Sequence, residues 1–170
     1  MPSPRSLKIS TATLLGVVVF LSKMVLPTPL DKLIIVVQGL MLTLGFLLIG
    51  RLGASYVALI GGLLTTVWRP TFTPFTLLFA LTYGVLVDLT LTAFKVTAGK
   101  TVKPGRCIAA LTLSTALIGL ISMHVTVLLG LMPAAPTLYL AIIVLGTLNG
   151  SLAGYLASIL WNKYLIYRFG

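Results

Sequence analysis

The chain has 170 residues, 58% of them hydrophobic and only 8% charged, with a mean hydropathy of +1.14. Soluble domains carry about a quarter charged residues, so this composition excludes a water-soluble fold and predicts one integral membrane domain over residues 1–170. The net charge of +10 reflects near-absence of acid (Asp31 and Asp88 against 12 Lys and Arg), and the bases lie at the ends of the apolar runs, where membrane topology places them, which explains them without nucleic acid.

Taken in order, the first apolar run is Ile9 to Leu26, preceded by Arg5 and Lys8 and about as long as a membrane helix must be. Pro27 and Pro29 follow it with no small-x-small cleavage pattern, so it reads as a span and not as a removable signal. Ala12 and Gly16 form a small-x-x-x-small pair within it, with Ser10 and Thr13 nearby. Such a strip admits close approach by another helix of the same bundle or of a partner. Lys23 sits at the rim. The second run, Leu33 to Ile49, carries Gln38 about one and a half turns from its start. The third, Ala54 to Trp68, is short, with Arg51 and Arg69 placed to snorkel at its two ends. The fourth, Pro74 to Phe94, holds Asp88 about two turns from its end. A lone carboxylate there should be protonated or paired with a base such as Arg51 or Lys95, unless it serves in proton coupling.

The fifth run, Cys107 to Met132, bears His124 about 12 Å from its far end. The sixth, Thr137 to Trp161, has Tyr139 at its rim and Asn149 about 18 Å in. His124 and Asn149 should therefore lie within about 6 Å of each other in depth. Gly146, Gly150 and Gly154 repeat every four residues in this last helix, a smooth strip for packing inside the bundle, with Gly61, Gly62 and Gly119 as counterparts. The single Cys107 reads as a buried small apolar residue.

The expected fold is all-α, a polytopic membrane protein of six transmembrane helices (9–26, 33–49, 54–68, 74–94, 107–132 and 137–161). Nine bases fall on one side: Arg5, Lys8, Arg51, Lys95, Lys100, Lys103, Arg106, Lys163 and Arg168. The other side has Lys23, Lys32 and Arg69. The positive-inside rule then makes both termini cytoplasmic in a multi-pass protein of the cell membrane. The three outer connections contain paired prolines and the inner ones use glycine. No nucleotide-binding fold fits within the chain.

Polar residues at membrane depth are expensive unless paired or facing a cavity. Lys23, Gln38, Arg69, His124, Tyr139 and Asn149 all occupy the outer half or the midplane, which points to an outward-opening substrate cavity. Each also has a structural alternative: snorkelling for Lys23 and Arg69, interhelical hydrogen bonding for His124 and Asn149, and interface placement for Tyr139. The cationic outer rim suggests a cargo with a carboxylate or phosphate, its ring resting among Tyr139, Phe72 and Trp68. With no Glu, one His and no cluster of metal-ligating residues, no catalytic residue, metal or cofactor is expected.

The stretch Gly53 to Leu64, then Arg69-Pro70, Pro74 to Leu78 and Tyr83-Gly84, is similar in texture to the third and fourth helices of the substrate-binding S components of energy-coupling factor transporters. The Ala12-x-x-x-Gly16 pair resembles the Ala-x-x-x-Ala motif of that family's first helix, and Asn149-Gly150 its glycine-rich last helix. The connection from Pro27 to Lys32 is shorter than the family's lid-like first loop, and no Met-His start marks the nickel and cobalt branch. The resemblance implies a membrane-embedded vitamin receptor that catalyses nothing itself. Its partners would be a transmembrane T component, docked on Ala12 and Gly16, and two cytosolic ATPase subunits. The alternatives are a structural or assembly subunit of another membrane complex and a small secondary carrier using Asp88.

Overall fold

The computed structural model describes residues 4–25, 35–68, 70, 73–97 and 100–169. Among these every regular element is helical, with α1 Pro4–Val25, α2 Ile35–Ile49, α3 Gly53–Trp68, α4 Thr73–Ala93, α5 Pro104–Leu128 and α6 Pro136–Leu160. Four segments are long and apolar enough to cross a membrane: Ser6–Met24, Pro74–Ala93, Pro104–Leu128 and Pro136–Phe169. The helices α2 and α3 are apolar but shorter. The first of them lies at the centre, α2 packing on α1, α3, α4 and α6, while α3 packs on α1, α2 and α4 and leaves its other face exposed.

Successive helices run in opposite directions. One end of the bundle gathers Arg51, Lys95, Lys100, Lys103, Arg106, Lys163 and Arg168, all exposed, and is called the basic end below. The end of α1 at Val25, the end of α3 at Trp68 and the connection 129–135 belong to the opposite, tip end. Helix limits follow local chemistry. Pro104 and Pro136 open α5 and α6, where a missing N–H costs nothing. Gly130, at φ +69°, closes α5 four residues before the expected Met132. There the Leu131 N–H donates to Thr126 O and the Gly130 N–H to Val127 O, both at 3.0 Å, a Schellman closure that needs a left-handed residue. Lys95 takes the same role after α4 at φ +56°, with Val96 N–H on Leu91 O at 2.9 Å.

Small residues set the helix spacing. A Cβ at Gly150 would fall 2.6 Å from Leu111 O and 2.7 Å from Thr112 Cα, and one at Gly154 2.7 Å from Ile108 Cα. The glycine strip of α6 therefore packs on α5 backbone, with Gly119 as its counterpart against Ile142. Gly61 and Gly62 serve other seams, meeting Val19 of α1 and Ala80 and Leu77 of α4.

The last helix is longer than expected. A π-helical turn, Trp161–Leu165, follows α6, and a short helix α7, Ile166–Phe169, continues from it. The wide turn begins at the two residues that hold the α4–α5 connection. Trp161 Nε1 donates to Lys100 O at 2.9 Å. Asn162 exchanges two hydrogen bonds with the Val102 backbone, at 2.9 Å and 2.8 Å.

Candidate functional site

The residues expected to line a common cavity divide into two levels. Near the tip end, His124 Nδ1 and Tyr139 Oη stand 3.4 Å apart across the α5–α6 hairpin. His124 is exposed and Tyr139 half-buried. Asn149 is not beside them. With Gly119 against Ile142, Gly146 against Ala116 and Gly150 against Thr112, Asn149 stands level with Leu113, eleven residues from His124. That is about 16 Å of depth at 1.5 Å per residue, so the expected 6 Å separation is corrected. The cause is the hairpin itself, because the early stop of α5 at Leu128 moves His124 toward the tip.

The deeper level lies where α2 meets α6. A Cβ at Gly39 would fall 3.2 Å from Ala153 Cβ and 2.8 Å from Tyr83 Oη. The helices α2 and α6 run parallel, so Gln38 and Asn149 both lie on the tip side of this contact, within about 5 Å of each other in depth. Gln38 is only 8% exposed. The other buried polar side chains are satisfied. Thr43 donates to Gly39 O at 2.8 Å, Thr65 to Gly61 O at 2.6 Å, and Thr90 to Leu86 O at 2.8 Å. Ser114 and Ser158 reach backbone carbonyls of their own helices, and Thr115 pairs with Tyr83 Oη at 2.9 Å. Gln38 makes no hydrogen bond to any described residue, and half-buried Asn149 makes none either. An unmade hydrogen bond on a buried group costs about 1–3 kcal/mol.

The remaining expected site residues fall elsewhere. Lys23 is half-buried near the tip end of α1 and is not a free cation. Trp68, at the end of α3, is about half exposed. Arg69 and Phe72 lie outside the described residues, as do Asp31 and Lys32.

Asp88 has a definite role. Its Oδ1 accepts the Ala54 N–H at 3.0 Å, and Oδ2 accepts the Ser55 N–H at 2.8 Å and the Ser55 hydroxyl at 2.6 Å. The partner is thus the N-terminus of α3, not the expected Arg51 or Lys95. A helix start leaves its first N–H groups unpaired and carries partial positive charge, which three hydrogen-bond donors express here. The spacing Gly53-Ala-Ser could have suggested the cap. Only tertiary structure reveals that the capping carboxylate comes from α4.

Ala12 and Gly16 are also covered. Ala12 is fully buried, and a Cβ at Gly16 would fall 2.8 Å from Ile60 Cβ and 3.2 Å from Val57 O. Thr13 reinforces this α1–α3 seam through Tyr56 Oη at 3.0 Å. The expectation that this strip lies open for a partner is corrected: α3 occupies it.

At the basic end, Pro104, Ser158, Ile159, Asn162 and Lys163 line a shallow cleft of about 260 Å³. Among the described residues no three metal-ligating side chains cluster. No protein-family model, curated protein or solved structure matches the chain.

Proposed function

We propose that this chain is a six-span membrane protein with both termini cytoplasmic and serves as the substrate-binding subunit of an ATP-driven importer for a small nutrient. It would work with a transmembrane coupling subunit and cytosolic ATPases, in the manner of the energy-coupling factor S components it resembles. The observation that carries this reading is Gln38. A nearly fully buried carboxamide with no hydrogen-bond partner among the described residues is a standing cost, which a bound molecule would offset. Asn149 lies at a similar depth on the adjoining helix, while His124 and Tyr139 form a separate polar pair nearer the tip, at what this topology makes the outer surface. Asp88 does not favour a proton-driven carrier, because its carboxylate is occupied at the start of α3.

Partner docking cannot use Ala12 and Gly16 without displacing α3. The face of α1 that remains open carries Leu14, Val18 and Leu21, each exposed, and suits lipid or an apolar helix.

The test is to extract the tagged chain in mild detergent and examine it by native mass spectrometry and by co-purification. A retained small molecule, together with recovery of a polytopic subunit and ATPases, supports the importer reading. A bare chain recovered with unrelated membrane subunits would instead make it a structural component.

A further inference from the structure

The importer reading leaves the cargo's chemistry open, and the hydrogen-bond capacity left unspent in the bundle narrows it. The buried hydroxyls are committed: Thr43 and Thr65 to helix carbonyls, and Thr115 to Tyr83. What remains at the deep level is carboxamide, from Gln38 and from Asn149. A carboxamide offers two N–H donors beside one acceptor. Its best complement is a neutral edge that presents an acceptor next to a donor, the geometry by which Asn and Gln read the edge of adenine. An anion would be served poorly. No described cation lies at this depth, and Lys23 is nearer the tip end and already engaged. Burying an unpaired ion costs several kcal/mol, more than a pair of neutral hydrogen bonds at about 1 kcal/mol each offsets.

We propose that the part of the cargo reaching the α2–α6 level is an uncharged donor–acceptor edge, as on a ring carboxamide or an amino- or oxo-heterocycle, and that Gln38 reads it. The proposal rests on the receptor reading above and replaces the anionic cargo expected from the rim charges. Any charged group on the same molecule would stay at the tip level.

The experiment uses the full chain in detergent, washed free of bound molecules, and three probe pairs that differ only in amide against carboxylate. These are nicotinamide and nicotinate, benzamide and benzoate, and pyrazinamide and pyrazinoate. Binding is measured by equilibrium dialysis for the wild type, Gln38→Leu and Gln38→Met. In at least one pair the amide should bind about tenfold more tightly than the carboxylate. Both variants should lose about tenfold in amide affinity, the equivalent of one or two neutral hydrogen bonds. They should remain folded, because each removes a polar group that has no hydrogen-bond partner among the described residues. Tighter binding of the carboxylates, or amide binding that both variants leave unchanged, overturns the assignment and leaves the receptor reading intact. Failure of all six probes to bind overturns it as well. A native mass spectrum of the unwashed protein then judges the receptor reading separately: a retained small molecule preserves it, and a bare chain removes it.

Discussion

Replacing Asp88 by Asn changes one atom of a side chain that is 6% exposed, and the structure gives the expected cost. The carboxylate accepts two N–H groups and one hydroxyl at 2.6–3.0 Å, all at the first turn of α3. The carboxamide keeps one accepting oxygen and turns an NH2 group toward a donor. If its oxygen stays on the Ser55 side, the Ala54 N–H is orphaned. If it flips, both bonds from Ser55 are lost. Hydrogen bonds to a charged group contribute about 1.5–3 kcal/mol each, and the favourable interaction with the helix terminus adds up to about 2 kcal/mol. Relief from burying the charge offsets part of this, so a net loss of about 2–4 kcal/mol is expected. Ser55→Ala removes only the hydroxyl bond and should cost less. A double-mutant cycle between the two positions, followed by reversible denaturation in detergent, should show coupling of at least about 0.5 kcal/mol. Wild-type stability in Asp88→Asn would refute the capping assignment. Normal folding with uptake that no longer depends on a proton gradient would return Asp88 to the role of a coupling carboxylate.

Gln38→Leu should raise the stability of the empty protein by about 1–3 kcal/mol, since it removes an unmade hydrogen bond from the interior; destabilisation on thermal unfolding would show that Gln38 has a structural partner. Gly16→Leu should prevent folding, because even a Cβ there would fall 2.8 Å from Ile60 Cβ; a monodisperse, correctly folded variant on size-exclusion chromatography would contradict the α1–α3 seam. Gly150→Ala should loosen the α5–α6 hairpin and cost about 1–3 kcal/mol through overpacking, read as a lower midpoint of thermal unfolding. Asn162→Ala should free the α4–α5 connection, so that trypsin cleaves after Lys100 faster than in the wild type while the helices persist by circular dichroism.

The helices themselves were legible in the chain, because apolar runs of membrane length bounded by proline, glycine and basic residues report local chemistry. Five of the six helix starts lie within three residues of expectation, and α1 begins five residues early at Pro4. The α6 glycine strip was readable as packing for the same reason, since a four-residue repeat places its members on one face. Which seam a small residue serves was not readable. Ala12-x-x-x-Gly16 has the same spacing whether α3 or another protein lies against it, and that choice depends on how the whole bundle closes. Register was equally hidden: the early stop at Leu128 separates His124 from Asn149, and the contact of Gly39 with Ala153 brings Gln38 close to Asn149's level. The partner of Asp88 is a backbone terminus, a group every helix has and no side-chain pattern announces. Local hydrophobicity and turn chemistry therefore determined the elements, while contacts between residues far apart in the chain decided which polar groups are satisfied and which, Gln38 and Asn149, find no hydrogen-bond partner among the described residues.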